Sequence, residues 1–267
     1  MSDKISIDET ALPEDPDPTG TRGLEQPTLW GIIVAAGRSS RVGSSVRKQF
    51  RPVLGRPLLA WTLESLLVIR EIPGVTLSGI VLVLPPDEIE TGRKKALEGI
   101  EAHQLDSLEI RTVGGGLDRS DSVRAGLLCV DPQTSWVLVH DGARPRPGRR
   151  LLVRLIEAIR DVPAVVPGLR PTDTIKRVDE KGTVLETLDR DFIRTIQTPQ
   201  LFHHDVFRTV LDALTEDRPC GKESLFTDCA SMMEAGGHPP LVIEGDSGNI
   251  KVTTERDFEL IENLLRG

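Results

Sequence analysis

The feature that most constrains this chain is a regular alternation of short apolar runs with segments of helical periodicity. The first run, residues 29–34, contains no polar side chain other than the Trp30 indole N–H. Runs of this kind, apolar at successive positions, are typical of strands that are buried on both faces of a parallel sheet. We predict strands at 29–34, 80–84, 108–113, 136–139 and 241–243. Helices are predicted at 57–69, 90–103, 152–159 and 207–214, and after the caps Ser120, Thr227 and Thr254. Strict alternation of this kind indicates an α/β fold with a mostly parallel sheet.

The alternation stops at residues 164–198, where short β-like runs follow one another without a helical segment between them. Proline residues and the Lys181-Gly182 pair separate these runs, as turn residues separate the strands of a hairpin. We therefore predict that 164–198 is an arm rather than a layer of the main sheet.

Residues 1–28 differ in composition from the rest of the chain. They hold seven acidic residues, two basic residues and four prolines, so they carry most of the formal net charge of -8. Such a segment buries too little apolar surface to offset the entropy lost on folding. The predicted organisation is a disordered acidic tail, 1–28, followed by one domain, 29–267.

Composition also excludes several classes of function. Aromatic residues make up 3% of the chain and no basic stripe is present, whereas nucleic-acid binding needs clustered Lys and Arg or stacking aromatics. No stretch approaches the length of a membrane span, and the N-terminus lacks both an apolar signal core and the Arg-rich character of a transit peptide. Cys129, Cys220 and Cys229 are widely spaced, which is typical of reduced thiols. We expect a cytoplasmic protein that binds neither nucleic acid nor membrane.

Small residues, cations and acids follow the predicted strands, where ligands bind in open parallel sheets. Ala35-Ala36-Gly37 follows the first strand, and Arg41 and Lys48 come shortly after it. A turn of small residues lets backbone N–H groups approach a phosphate closely, and flexible cations then neutralise its oxygens. The other strand ends carry Gly116 and Ser122, Asp141 and Arg144, and Asp246 and Lys251.

Two of these residues are candidate metal ligands. Asp141 and Asp246 follow different strands, and Mg²⁺ is commonly bound by a few carboxylates together with phosphate oxygens. Asp246 lies in Gly245-Asp246-Ser247-Gly248, so it equally suits a turn in which the side chain bonds its own backbone.

The first loop matches neither of the two common nucleotide motifs. Ser39 and Val42 occupy the second and third glycine positions of G-x-G-x-x-G, and the chain has no Walker A sequence. The missing glycines and the two loop cations argue against a nicotinamide-dependent oxidoreductase.

The motifs together resemble the 2-C-methyl-D-erythritol 4-phosphate cytidylyltransferase family. The resemblance runs in the family's order from about residue 30 to 266. Its motifs are Ala35-Ala36-Gly37…Arg41…Lys48-Gln49-Phe50, Gly115-Gly116-x-x-Arg119-x-x-Ser122, His140-Asp141-Gly142-Ala143-Arg144-Pro145, Asp173-Thr174-Ile175-Lys176, Asp189-Arg190, Thr198-Pro199-Gln200, Thr227-Asp228 and Asn249-Ile250-Lys251. The chain departs from the family pattern at Ser39, Leu117 and Gly248.

The resemblance implies a Rossmann-like, mostly parallel sheet with helices on both faces and a β-hairpin dimerisation arm at about 164–198. It implies a homodimer that joins CTP and methylerythritol phosphate with the help of Mg²⁺, in the non-mevalonate isoprenoid pathway. The implied catalytic residues are Arg41, Lys48, Arg190 and Lys251. The implied nucleotide-binding residues are Ala35, Ala36, Gly37, Gly116 and Ser122. The implied substrate-binding residues are Arg144, Thr174 and Thr198, and the metal ligands are Asp141 and Asp246.

Two alternatives remain at this point. Ribitol-5-phosphate cytidylyltransferases share the first loop, the lysine and the Asn-Ile-Lys motif, and the arm residues Thr174, Lys176 and Arg190 favour methylerythritol phosphate over ribitol 5-phosphate. A non-catalytic module on the same fold is disfavoured because Arg41, Lys48, Asp141 and Lys251 are all present.

Overall fold

The computed structural model describes residues 26–37, 46–216 and 226–266. The strands are β1 (Thr28–Val34), β2 (Pro52–Val53), β3 (Arg56–Pro57), β4 (Thr76–Leu84), β5 (Glu109–Gly114), β6 (Trp136–Asp141), β7 (Ala164–Leu169), β8 (Ile175–Val178), β9 (Val184–Leu188), β10 (Thr195–Ile196), β11 (Gln200–His203) and β12 (Leu241–Glu244). The helices are α1 (Leu58–Leu67), α2 (Ile89–Ala96), α3 (Arg119–Leu127), α4 (Arg149–Ala158), α5 (His204–Glu216), α6 (Cys229–Ala235) and α7 (Glu255–Arg266). None of the described helices has the length and apolar character needed to cross a bilayer.

Eight strands form one sheet. Seven of them follow the order β10-β7-β11-β6-β1-β4-β5, and the eighth, β12, also pairs with β7. β1 lies between β4 and β6 and runs parallel to both, and β5 extends the parallel part beyond β4. β11 runs antiparallel between β6 and β7. The predicted mostly parallel α/β fold is therefore confirmed.

Helices cover both faces of this sheet, which explains why the strands are apolar at successive positions. Leu29 and Ile33 of β1 belong to a core with residues of α1 and α4. Trp30 and Ile32 point the other way, into a core with residues of α3, α5 and α6. Both cores exclude water from the strands, so the sheet rigidly positions the loops at its carboxyl edge.

The structure corrects the predicted limits of the arm. β7, the first part of the 164–198 segment, lies inside the main sheet and pairs with β10, β11 and β12. Of this segment, only the chain between β7 and β10 leaves the sheet; this part, called the excursion below, carries the antiparallel hairpin of β8 and β9. Local sequence could not show this, because the partners of β7 lie up to about 80 residues further along the chain.

Two predicted helix caps are also wrong. The carboxylate of Asp118 caps α3 by accepting a hydrogen bond from Asp121 N at 2.9 Å, and Ser120 lies inside the helix. Asp228, not Thr227, caps α6 in the same way through Ser231 N at 2.9 Å. In both places an Asp stood near the predicted residue, and side chains of either type cap helices.

The ends of other elements differ less. β4 begins four residues before the predicted strand, and α2 ends at Ala96 rather than near 103. The predicted tail, 1–28, lies outside the described residues as far as residue 25, and Thr28 already belongs to β1.

Candidate active site

The loop after β1 is wedged between two glycine-containing loops. A Cβ atom added to Gly115 would lie 2.2 Å from Cβ of Ala36, and one added to Gly142 would lie 2.8 Å from Cβ of Ala35. Larger side chains at any of these positions would force the three loops apart. The small residues therefore allow the ends of β1, β5 and β6 to meet at one edge.

Lys48 is held near this loop by its neighbour. Lys48, Gln49 and Phe50 form a 3₁₀ turn, and the buried Gln49 side chain donates a hydrogen bond to the carbonyl oxygen of Ala35 at 2.6 Å. Lys48 itself is half-buried. Arg41, the other predicted cation of this loop, lies outside the described residues.

The Ser122 side chain holds the loop that contains Gly115 and Gly116 by hydrogen bonds to its backbone. Its hydroxyl accepts a hydrogen bond from Gly116 N at 3.2 Å and donates one to the carbonyl of Asp118 at 2.9 Å. The side chain is buried and both bonds are with the protein. Ser122 thus holds the backbone of Gly116 in place at the start of α3.

The carboxylate of Asp141, the last residue of β6, is surrounded by three cations. Oδ1 lies 3.3 Å from Nη2 of Arg119, and Oδ2 lies 2.8 Å from Nζ of Lys251 and 3.5 Å from Nε of Arg144. The Asp141 side chain is 11% exposed and that of Lys251 is 43% exposed. Of the three cations around the buried carboxylate, Lys251 is therefore the most exposed to solvent.

These cations keep Asp141 ionised. Burial acts to raise the pKa of the Asp141 carboxyl, but Arg119, Lys251 and Arg144 outweigh it and hold that pKa well below its usual range. Burial in turn lowers the pKa of the Arg144 guanidinium. Arg119 belongs to the glycine-loop motif, for which the sequence predicts no role at this position, and the structure places it against Asp141.

His140 and Thr198 support Asp141 from behind. The His140 side chain is fully buried, and its Nε2 lies 2.9 Å from the carbonyl oxygen of Arg144 while its Nδ1 lies 3.0 Å from Oγ1 of Thr198. The same Thr198 oxygen accepts a hydrogen bond from the backbone N–H of Asp141 at 3.1 Å. Burial lowers the pKa of His140 to about 4, so the ring is neutral near pH 7 and its Nε2–H donates to the carbonyl.

Two buried amides hold the loop that carries Lys251. Gln197 donates to the carbonyls of Asp246 and Asn249 at 2.9 and 3.2 Å, and it accepts from Asp246 N at 3.0 Å. The fully buried Asn249 donates from Nδ2 to the carbonyl of Thr198 at 2.7 Å. The sequence predicts no role for either amide. The signal that could identify them is an amide side chain that closely follows an apolar strand.

Asp246, the second predicted metal ligand, makes the contacts of a turn residue. Its Oδ1 accepts a hydrogen bond from Gly248 N at 2.8 Å. Its Oδ2 faces the start of α4, where a Cβ added to Gly148 would lie 2.6 Å away. The contacts favour the turn interpretation, and a metal role for Asp246 stays a prediction.

Thr174 and Arg190 lie on the excursion, between β7 and β10. Both are exposed, and Arg190 donates to the carbonyl of Thr172 at 2.6 Å. Among the described residues, no hydrogen bond or ion pair joins either of them to Asp141, Arg144 or Lys251. Their predicted role in substrate binding is therefore untested within one chain.

A sheet whose parallel strands bring a small-residue loop, several cations and one ionised carboxylate to one edge is the arrangement typical of nucleotide-binding α/β proteins. The comparisons with known proteins narrow this class. A family model for 2-C-methyl-D-erythritol 4-phosphate cytidylyltransferase matches residues 29–267. The chain belongs to that family.

Individual relatives agree with the family match. A bifunctional enzyme IspD/IspF of Rhizobium etli (strain CIAT 652) is 39% identical over 246 residues, which are 90% of this chain and 57% of that protein. The chain thus spans little more than half the length of that relative. A 2-C-methyl-D-erythritol 4-phosphate cytidylyltransferase of Desulforamulus reducens is 34% identical over 235 residues, which are 88% of this chain and 94% of that protein. The crystal structure of 4-diphosphocytidyl-2C-methyl-D-erythritol synthase from Anaerococcus prevotii superposes with a TM-score of 0.75 at 29% identity, covering 91% and 100% of the two chains.

Proposed function

We propose that this chain is a nucleotidyltransferase that joins CTP and 2-C-methyl-D-erythritol 4-phosphate. The products are 4-diphosphocytidyl-2-C-methyl-D-erythritol and pyrophosphate, a step of the non-mevalonate route to isoprenoids. The observation that carries the proposal is the ionised Asp141 with its three cations, placed at the strand ends beside the Ala35-Ala36-Gly37 loop.

The reaction needs positive charge rather than an activated side-chain nucleophile. A phosphate oxygen of methylerythritol phosphate bonds to the α-phosphorus of CTP, and the bond from that phosphorus to the oxygen bridging the β-phosphorus breaks. Pyrophosphate leaves with the bonding electrons, and negative charge builds on the oxygens around the reacting phosphorus. Fixed cations that face these oxygens lower the barrier by positioning and by electrostatic stabilisation.

The structure suggests a division of labour among the cations. Arg119 and Arg144 are largely buried against Asp141, so they hold its carboxylate in place. Lys251 is partly exposed and Lys48 is half-buried, so their ammonium groups are the ones that a phosphate can reach. Arg41 joins this second group by its place in the family motif. The backbone of 35–37 and Gly116 would cradle the cytidine and its triphosphate.

A magnesium ion fits this site only if the nucleotide supplies most of its ligands. Asp141 is ionised, as a ligand must be, but among the described residues no group of three His, Cys, Asp or Glu side chains could hold a metal. Asp141 would therefore bind Mg²⁺ together with phosphate oxygens and water. Bound Mg²⁺ would supply further neutralisation of the triphosphate charge.

The excursion supports a homodimer as part of this proposal. Its side chains Val184, Leu185 and Phe192 are 55%, 54% and 86% exposed. Exposed apolar side chains on a segment that leaves the main sheet are typical of a contact surface. In a dimer formed through this arm, Thr174 and Arg190 would reach the partner's site and bind methylerythritol phosphate there. The cytoplasmic location expected from the sequence stays a prediction.

What supports methylerythritol phosphate over ribitol 5-phosphate is the family match over 29–267. The test is pyrophosphate release by the wild-type protein with CTP and each polyol phosphate in turn. We expect release with methylerythritol phosphate, with kcat/KM at least about a hundredfold above that for ribitol 5-phosphate, because a site built for one pattern of hydroxyl groups rejects another. Equal rates with both, or release with ribitol 5-phosphate alone, would contradict the proposal. Asp141→Asn is the matched control that should release almost none.

A further inference from the structure

Four residues around Asp141 form a closed ring of hydrogen bonds. His140 bonds the carbonyl of Arg144 at 2.9 Å, and Arg144 Nη1 donates to the carbonyl of Asn249 at 2.9 Å. Asn249 Nδ2 donates to the carbonyl of Thr198 at 2.7 Å. The Thr198 hydroxyl lies 3.0 Å from His140 Nδ1, which closes the ring.

The ring joins three loops that are far apart in the sequence. One follows β6, one precedes β11, and one follows β12. His140 and Asn249 are fully buried and Thr198 is 4% exposed, so these side chains bond to each other's loops rather than to water. Although Asn249 Oδ1 and Arg144 Nε make no hydrogen bond with the described residues, the four bonds of this buried ring favour one arrangement of its members.

The ring acts directly on the groups that surround the proposed reaction centre. Thr198 Oγ1 accepts the backbone N–H of Asp141, and Arg144 Nε lies 3.5 Å from the Asp141 carboxylate. Asn249 precedes Lys251 by two residues, so fixing Asn249 fixes the backbone from which Lys251 reaches Asp141. Neither His140 nor Asn249 needs to touch a ligand to have this effect.

We propose that His140 and Asn249 are positioning residues that hold Asp141 and Lys251 in register through this ring. Loss of either side chain leaves the other loop contacts in place but removes the closure. Small displacements of reacting groups cost large factors in rate, so kcat should suffer more than KM.

The kinetic test uses His140→Leu, Asn249→Leu and the double variant, with His203→Leu as matched control. His203 also bonds one carbonyl, that of Ile159 at 3.0 Å, but it lies at the opposite end of β11 from this site. We expect each single variant to lose about tenfold to a hundredfold in kcat, with KM for CTP changed less than about threefold. The double variant should lose hardly more than the worse single one, since residues of one network are not additive. His203→Leu should keep its kcat even if its Tm falls.

Partial replacements guard against variants that fail to fold. His140→Asn keeps a polar group near Thr198 and His140→Gln keeps one near Arg144, so each should lose less kcat than His140→Leu. Folded His140→Leu with kcat within twofold of wild type, or single losses that multiply in the double variant, would overturn the proposal.

A second measurement does not depend on the reaction. The kinetic part rests on the proposed function, whereas hydrogen exchange at the Asp141 amide reports the ring alone. That amide bonds Thr198 Oγ1, so its exchange should accelerate in His140→Leu and Asn249→Leu but not in His203→Leu. A wild-type protein that releases no pyrophosphate would contradict the proposed function only. Unchanged exchange at Asp141 would overturn the ring.

Discussion

The ammonium of Lys251 lies 2.8 Å from the carboxylate of Asp141, although the two residues belong to loops at the ends of different strands. Asp141 is buried and is also paired with Arg119 and Arg144, whereas Lys251 is partly exposed. The lysine is therefore the one of these three cations best placed to turn toward a ligand in solvent, and Arg119 and Arg144 then keep Asp141 paired.

This arrangement predicts that Lys251 matters for rate and little for stability. Lys251→Met should lower kcat by about 10²-fold, the usual cost of removing one group that stabilises developing charge. The Tm should stay close to that of wild type, because partly exposed ion pairs contribute little to folding. Pyrophosphate release and a thermal scan measure the two effects. Lys94→Met, which removes an exposed lysine from α2, is the control. Retention of most of the kcat by Lys251→Met would remove Lys251 from the mechanism.

The two candidate metal ligands should respond differently to loss of charge. Asp141→Asn should nearly abolish activity, because the buried carboxylate is the group on which Arg119, Arg144 and Lys251 converge. Asp246→Asn should leave the Mg²⁺ dependence of the rate unchanged, since an amide oxygen can still accept from Gly248 N. Titration of Mg²⁺ against rate for both variants decides the matter. A raised Mg²⁺ requirement in Asp246→Asn would restore Asp246 as a metal ligand.

Apolar patterning predicted the central strands because each side of them is covered by helices. Runs of successive apolar residues correctly predict β1, β4 and β6. The helical periodicity of the segments between these runs predicts the helices. The same patterning misplaced β7. β7 pairs with β10, β11 and β12, and its own sequence contains no signal that identifies these partners.

The site shows a similar limit. The motifs predict that Asp141, Arg144 and Lys251 lie at one edge of the sheet, because parallel strands end at the same edge. The structure confirms this position. The roles of His140, Gln197 and Asn249 depend on bonds to backbone carbonyls, which for Gln197 and Asn249 lie in other loops. Backbone carbonyls are the same in every residue, so sequence alone could not identify these partners.

The pKa of His140 predicts how stability changes with pH. Burial lowers the pKa of His140 to about 4, the bond to the Arg144 carbonyl and the charge of Asp141 oppose this, and Arg144 and Arg119 reinforce it. In the unfolded chain the pKa is about 6.5, so between these values the unfolded state binds more protons. The free energy of unfolding should therefore fall as the pH falls from 6.5 toward 4, by at most about 1.4 kcal/mol per pH unit from this group.

Urea unfolding at steps between pH 4 and 8 measures this effect. His140→Gln lacks the titrating ring, so its stability should depend less steeply on pH than that of wild type within that window. His203→Gln, which removes a histidine outside the ring, is the control for the general effect of replacing a histidine by glutamine. Parallel profiles for wild type and His140→Gln would mean that His140 titrates normally in the folded protein.

Two N-terminal truncations should differ sharply although they differ by three residues. Removal of residues 1–25 should leave Tm and kcat/KM nearly unchanged, because that acidic, proline-containing composition adds nothing to a core. Removal of 1–28 also deletes the Pro27 carbonyl, which accepts from Thr76 N at 2.9 Å, and the Thr28 carbonyl, which accepts from Ser135 N at 3.1 Å. The longer truncation should lower the Tm by a few degrees, as loss of one or two kcal/mol does in a domain of this size. Equal Tm values for the two truncations would contradict this account of where the fold begins.

The arm predicts that two impaired variants can restore activity to each other when they form mixed dimers. Arg190 lies on the excursion and makes no hydrogen bond or ion pair with Asp141, Arg144 or Lys251 among the described residues of its own chain, so we expect its proposed phosphate contact to be made in a partner. Arg190→Ala should therefore raise KM for methylerythritol phosphate more than KM for CTP, and Arg177→Ala, which removes another exposed arginine of the excursion, should not. Lys48→Ala should lower kcat by about 10²–10³-fold through a different part of the site. When Arg190→Ala and Lys48→Ala proteins exchange subunits, each mixed dimer regains one site in which Lys48 comes from one chain and Arg190 from the other. Pyrophosphate release should then rise above that of either variant alone, whereas mixed dimers that stay inactive would mean that each site is built within one chain.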